Sequence, residues 1–416
     1  MTMFGLNENE TTPLLTALAA RDVDRDEQAE LFARAAWTGI AEPGDRIAGV
    51  LLAALGAPDA LRVLRTPPTP TRLVELLADA GAEVEPDDAE KALARWAPRA
   101  DAAASVIALR QAARVGARLI VPGDALWPSG LDDLGEHAPP ALWVRGSDAA
   151  LAALSRSIAL VGARAATGYG EHVTMEAAAG LVDRGYAIVS GAAYGIDGMA
   201  HRAALASNGV TIAFLAGGVD RFYPSGHDAL LTKIVQDGAV VSELPCGQPP
   251  TKWRFLQRNR LIAAASLATV VIEAGWRSGS LNTAGHASAL GRPLGAVPGP
   301  VTSAASAGCH RLIRDYTALC VTNPDEMAEL APLSTAGVPL DAAAEEEGGR
   351  GQTSDVTRLL DALSIRAPRD SADVAARSGL SLARVRGLLG QLALDGRAAE
   401  RERGWVKVVE KVERSG

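Results

Sequence analysis

Apolar positions from about residue 11 to 118 recur at the three-and-four spacing of amphipathic helices, as in LLTALAA, AELFARAAW and IAGVLLAALG. Breaks fall at Pro43-Gly44, Pro58 and Pro67-Pro68. The spacing predicts a small helical domain over residues 1–118. From Ser157 the texture changes. Short apolar runs (SIALVG, AIVSG, VTIAFLAGG, AVVSE, ATVVIEA, PLGAVPG) alternate with helix-length stretches such as EHVTMEAAAGLVDRG. That alternation predicts an α/β fold over 119–324, a doubly wound and mostly parallel sheet with helices on both faces. Residues 325–353 combine Ala, Gly and Pro with a Glu triplet and read as an acidic linker. The last segment, 354–416, is patterned again. A helix from about Asp355, a second opening at Ser371 and a third opening at Ser381 precede the hairpin-like RAAERERGWVKVVE, which predicts a winged helix.

The chain has 416 residues, 48% of them hydrophobic, enough for two or three domains with sizeable cores. No apolar run reaches eighteen residues and the start, MTMFGLNENE, is polar and acidic. Membrane and secretory readings therefore fall away. The three cysteines, Cys246, Cys309 and Cys320, lack CxxC spacing, so neither a disulfide framework nor a zinc ribbon is implied and a cytoplasmic setting is expected. The formal net charge of -8 is unevenly spread. Lys and Arg number 14 against 23 Asp and Glu in residues 1–150, 14 against 10 in 151–320, and 13 against 16 in 321–416. Only the middle third is basic, and it is the location of charge, not its total, that governs binding to an anionic partner.

Candidate chemistry concentrates in that third. The first sheet strand ends at Gly162-Ala163-Arg164, with Thr167 and Gly168 opening the next helix. Glycines at such a turn let backbone N–H groups reach an anion, and the helix N-terminus adds partial positive charge. The second strand repeats the device at Ser190-Gly191, and Ser278-Gly279-Ser280 offers a third helix start after ATVVIEA. The most informative run is Lys252-Trp253-Arg254-Phe255-Leu256-Gln257-Arg258-Asn259-Arg260, with four cations, two aromatics and no acid. Cations neutralise phosphates while an aromatic face stacks on a base, which is how a single strand is held without reading its sequence. The alternative is a solvated helix start whose aromatics pack inward.

These residues resemble a known family. VGAR…TGYG, SGAAYGID, LAGGVDRFYP, SELP, FLQRNR, EAGWRSGSLNTA and GRPLGAVPGP stand in the order and spacing of the DprA/Smf DNA-processing proteins. The resemblance implies a Rossmann-like domain that dimerises, binds single-stranded DNA and helps load the RecA recombinase during natural transformation. Carried over by motif, the DNA contacts are Arg164, Lys252, Phe255, Arg258 and Arg260. Three motifs depart from the family's usual form: Gly162-Ala163-Arg164 lacks a hydroxyl at its centre, Phe255-Leu256-Gln257 lacks a proline, and His227 replaces an amide. An exposed, unemployed histidine is expected there.

Other classes fit less well. Asp197 and His201 lie four residues apart with Ser190 upstream, but Ser190 is not in a GxSxG elbow, so catalysis is not expected. A nucleotide-processing enzyme of the lysine-decarboxylase-like, phosphoribohydrolase class would need a PGGxGTxxE motif that is absent, and a winged-helix transcription regulator would read DNA through Arg384 and Arg386. The scattered His201, His227, His286 and His310 imply no metal, and no cofactor is expected. Leu312, Ile313, Tyr316 and Leu319 form the candidate self-association face.

Overall fold

A computed structural model describes residues 8–333, 355–365, 367–394 and 396–408. The described residues up to Leu333 form one compact unit and those from Asp355 a second. The first seven residues and the stretch 334–354 of the predicted linker lie outside the described residues.

The first unit begins with seven α-helices, α1 (Glu8–Ala19), α2 (Arg25–Ile40), α3 (Arg46–Leu55), α4 (Ala57–Arg65), α5 (Pro70–Asp79), α6 (Pro86–Trp96) and α7 (Ala102–Arg114). Their apolar stripes close on Trp37 and Trp96, fully buried and edge to face at 5.3 Å. The same core continues into Trp143, Ala213 and Val240 of the sheet. The change near residue 118 is thus one of secondary structure and not a break in packing.

Next come β1 (Arg118–Ile120), β2 (Leu142–Gly146), α8 (Asp148–Ala152), β3 (Ser157–Gly162), α9 (Gly168–Asp183), β4 (Ala187–Ser190), α10 (Ile196–Ala206) and β5 (Thr211–Phe214). They are followed by α11 (Asp228–Asp237), β6 (Ala239–Ser242), α12 (Lys252–Ala265), β7 (Ala268–Glu273), α13 (Ser280–Ala289), β8 (Leu294–Ala296), α14 (Ala307–Asp315) and β9 (Leu319–Cys320). The nine strands order as β1-β2-β6-β5-β4-β3-β7-β8-β9. Strands from β6 to β9 run parallel, and β2 and β1 extend one edge antiparallel. The apolar runs are buried on both faces, as a covered parallel sheet requires. Ile158 and Leu160 pack under α9 and α10, while Ala159 and Val161 face the α12–α13 layer. The chain proceeds outward from β3 through β4, β5 and β6, then crosses back to place β7 on the other side of β3. Strand order reverses between β3 and β7, and the crevice outside such a switch point is where open α/β sheets bind ligands.

The predicted linker begins later than its composition suggests. Pro324–Glu329 forms a helix, α15, capped by Asn323, and it buries Met327 and Leu330 against the α9 face. Those two apolar side chains, three apart, sit on one side of the helix inside an otherwise acidic stretch.

The second unit holds α16 (Asp355–Ala362), α17 (Ser371–Ser378), α18 (Leu382–Leu394) and the antiparallel hairpin β10 (Ala398–Arg401) and β11 (Gly404–Lys407). Leu359, Val374, Val385 and Leu389 make its core. Among the described residues no single helix is long and apolar enough to cross a membrane.

Candidate nucleic-acid interface

Three strand ends and one helix start converge at the switch point. The loops after β3, β4 and β7 meet the first turns of α12 around a cavity of about 70 Å³. Its lining includes Gly162, Arg164, Ala193, Asp197, Phe255, Arg258, Asn259, Gly279 and Ser280. Residues scattered over more than a hundred positions are thereby gathered at one end of the sheet. A larger cavity of about 510 Å³, lined by Trp127, Ser266 and Arg292 among others, lies at the opposite ends of the strands and contains none of the glycine loops.

Thr251 caps α12 by accepting the amide of Arg254 at 3.3 Å, which fixes the helix start and turns Phe255 toward the cavity. The half-buried Phe255 ring has the Arg164 guanidinium at 5.2 Å and that of Arg258 at 5.9 Å, with the Tyr223 ring tilted against it at 5.6 Å. Arg164 and Lys252 are exposed, and among the described residues neither has an acidic partner within ion-pair distance. A charged donor and an aromatic face are thus presented together to solvent.

The other cations of the α12 run are not free, contrary to the reading of the run as a row of phosphate contacts. Arg254 is buried and clasps Glu42 of the helical layer at 3.1 and 2.9 Å. Arg260 is buried and paired with buried Glu243 at 2.5 Å. Arg258 is also buried, and its Nη1 donates to the carbonyls of Gly191 and Phe214 at 2.7 and 2.6 Å. Burial lowers its pKa to about 10, with Asp197 pulling it up and Arg164 pushing it down, so it stays charged at neutral pH. Positions 254, 258 and 260 face the sheet and the helical layer because a helix start carrying this many cations must still bury a stripe.

Gly191 and Asp197 exist for that buried arginine. A Cβ on Gly191 would stand 2.2 Å from the Arg258 guanidinium, so only glycine leaves room for it. Asp197 accepts the Gly191 amide at 3.2 Å and is held also by the amides of Ala193 and Gly162. Burial pushes its carboxyl up, while Arg258 and these amides pull it back. Asn259, buried beside them, donates to Asn282 at 3.2 Å and ties α12 to the start of α13.

The helix starts differ in what they offer. At α9, Glu273 already occupies the anion position: its carboxylate accepts from the Thr167 amide at 2.9 Å and from the Thr167 hydroxyl at 2.7 Å. Thr167 therefore serves an internal anion, while the exposed Gly168 beside it makes no hydrogen bond to Glu273. Ser190 is fully buried and donates to the Leu160 carbonyl at 2.6 Å, a sheet contact out of reach of any ligand. By contrast α13 has Gly279 at its N-cap, with no side-chain cap and no acid in its first turn, and Gly279 and Ser280 line the cavity. Ser278 and Ser280 share a hydroxyl contact at 2.8 Å. Of the predicted anion sites, this one presents an uncompensated positive helix end.

No hydrolytic set assembles from Ser190, Asp197 and His201. His201 is fully buried against Thr211 at 2.7 Å, and burial lowers its pKa to about 3. His227 is buried, not exposed as expected: it contacts the Ala192 carbonyl at 3.0 Å and packs edge-on with Tyr194. Among the described residues no three His, Cys, Asp or Glu side chains gather as a metal site would need. In the candidate self-association face, Leu312 belongs to the core, buried with Cys309 one turn earlier, whereas Tyr316 and Leu319 are exposed and Ile313 is half-buried.

Three ring-bearing positions near the cavity escape the sequence reading: Tyr194, Tyr223 and Trp276, respectively 49%, 51% and 55% exposed. Each sits in a glycine-rich loop after a strand, where an aromatic has no core to enter, and that context is the signal by which they are recognisable.

The chain is similar to known proteins. The family described as DNA recombination-mediator protein A matches residues 118–332. A putative DNA processing protein DprA of Mycobacterium tuberculosis is 46% identical over 307 residues, which cover 70% of this chain and 77% of that protein. Protein Smf of Escherichia coli is 44% identical over 192 residues, 46% of this chain and 50% of that protein. Among solved structures, DNA processing protein A of Streptococcus pneumoniae is 28% identical with a TM-score of 0.56, covering 72% of this chain and 97% of that one. That of Helicobacter pylori, solved for its single-stranded DNA binding mode, is 28% identical with a TM-score of 0.46 over 51% of this chain and 94% of that one.

Proposed function

Since the chain belongs to the DNA recombination-mediator protein A family, we propose that it binds single-stranded DNA, without reading sequence, at the carboxyl edge of its sheet. One observation carries the reading: an exposed, unpaired Arg164 lies over the face of Phe255 at the mouth of the switch-point cavity. The guanidinium supplies phosphate charge and the ring supplies a stacking face, and neither distinguishes one base from another. Duplex DNA hides its base faces and offers only the first of the two. Lys252 and the open start of α13 add to the positive field.

The resemblance extends the proposal to delivery of the strand to RecA in natural transformation, from the cytoplasm. We assign the chain no catalysis: Ser190, Asp197 and His201 are buried and each is engaged by a structural partner, the Leu160 carbonyl, the Gly191 amide and the Thr211 hydroxyl respectively. We propose further that it dimerises through Ile313, Tyr316, Leu319 and the short edge strand β9, and that the C-terminal unit is an auxiliary winged helix. Competition of poly-dT against a duplex of equal length, read by mobility shift, tests the main assignment. Preference for poly-dT supports it, and equal or stronger duplex binding overturns it.

A further inference from the structure

The exposed aromatics are not scattered. In the strand order β5-β4-β3-β7, the loop after β5 carries Tyr223, that after β4 carries Tyr194, the first turn after β3 carries Tyr169, and the loop after β7 carries Trp276. Four adjacent strand ends thus each present one exposed ring at the same edge. Contacts connect them to the cavity and to neighbouring loops. Tyr223 leans on Phe255 at 5.6 Å, and Phe255 lies under Arg164 of the β3 loop. The Tyr194 ring rests edge-on against His227 of the β5 loop at 4.8 Å. The Tyr169 hydroxyl donates to Pro298 after β8 at 2.6 Å, which holds that ring over the far side of β3. Trp276 has the Arg311 guanidinium on one side at 5.1 Å, with the indole more than half exposed.

Rings this exposed cost solvation unless something covers them, and the covering partner is identified by its surroundings. Arg164, Arg221, Lys252 and Arg277 are exposed on the same loops and helix start, whereas Asp197 and Glu273, the acids nearest the cavity, are buried and occupied by backbone amides or Thr167. Aromatic faces interleaved with exposed cations match unpaired bases joined by phosphates. The β5 and β7 ends are three strand spacings apart, about 14 Å at the usual ~4.8 Å. A stacked strand advances ~3.4 Å per phosphate, so only an oligonucleotide of several units touches both ends.

Resting on the assignment of single-stranded DNA to the Phe255 site, we propose that the strand crosses the carboxyl edge from the β5 loop to the β7 loop. One base stacks on Tyr223 and another on Trp276, at subsites flanking the Phe255 cavity. Arg311 backs the indole and leaves its other face to the DNA.

The test measures affinity of the full chain for a trinucleotide and a dodecanucleotide of thymidine, with tryptophan fluorescence as a second readout. For Trp276→Ala, dodecamer affinity should fall about tenfold, the lower end for loss of one stacked base, while trimer affinity stays. Trp276→Phe should restore most of it. Tyr223→Leu should behave like Trp276→Ala on the dodecamer, and DNA quenching of fluorescence should shrink in Trp276→Phe. Phe255→Ala should weaken both oligonucleotides. If Phe255→Ala weakens both while the Trp276 and Tyr223 variants bind both like wild type with unchanged quenching, the crossing path is wrong and the Phe255 site stands. If the wild-type chain binds neither oligonucleotide, the assignment of the site itself fails, and the path with it.

Discussion

Arg164 and Phe255, 91 positions apart in sequence, meet with the guanidinium 5.2 Å from the ring centroid, and among the described residues no acid anchors the arginine. The ring orders the arginine without neutralising it, because a cation–π contact, unlike a carboxylate, leaves the N–H donors unspent. A preorganised cation that keeps all its donors is suited to an incoming phosphate. Buried Arg258, on the other flank of the same ring, has spent Nη1 on two carbonyls and serves to hold the loops in place.

The buried Arg260–Glu243 pair should be a stability element with no part in binding. Nε and Nη1 of Arg260 and Oε1 of Glu243 find no partner among the described residues, so the pair is incompletely satisfied. Removing one member leaves a buried charge alone, which costs about 3–5 kcal/mol, whereas removing both leaves an apolar site at little cost. Urea midpoints should fall sharply in Arg260→Met and recover in Arg260→Met/Glu243→Leu. A single variant as stable as wild type would mean that water reaches the pair.

His201 should give the fold a measurable acid sensitivity. Its pKa is about 3 in the fold, against 6.5 for a free side chain, because burial disfavours the imidazolium. The unfolded chain therefore takes up a proton that the folded chain refuses. The contribution is intact above pH ~6.5 and is lost as pH falls toward ~3, at about 1.4 kcal/mol per unit. In His201→Gln the slope of unfolding free energy against pH over that window should be shallower by one proton. Equal slopes would show that His201 protonates without unfolding.

A chain ending after Leu333 should keep most affinity for poly-dT, since every residue lining the cavity lies in the first unit. A chain beginning at Arg118 should aggregate, because it strips the helical layer from Trp143, Ala213 and Val240. Gel filtration and binding of both fragments decide this. A soluble, binding-competent fragment from Arg118 would show that the helical layer is dispensable to the fold.

Much of this was legible in the sequence. Runs such as SIALVG announce strands buried on both faces, and the glycines after β3, β4 and β7 mark the turns that meet at the switch point. What the α12 run could not reveal is which of its cations are consumed. Glu243, the partner of Arg260, lies on the loop after β6, and Glu42, the partner of Arg254, lies in the helical layer, so only the three-dimensional packing pairs them. Thr167 looked open to a phosphate because Glu273 reaches it from 106 positions away. The helix α15 was hidden because two apolar side chains within an acidic, alanine-rich stretch are too few to show a period.

The central claim is that Arg164 supplies charge and Phe255 supplies stacking at one DNA site, and a salt titration of poly-dT binding separates them. Each cation that neutralises a phosphate on a single strand contributes about 0.7 to the slope of log affinity against log salt. Arg164→Ala and Lys252→Ala should each weaken binding and flatten the slope by about that amount. Phe255→Ala should lower affinity roughly ten- to a hundredfold and leave the slope nearly unchanged, since stacking is worth about 1–3 kcal/mol and releases no ions. Circular dichroism confirms that each variant is folded. Wild-type affinity and slope in folded Arg164→Ala and Phe255→Ala would contradict the account.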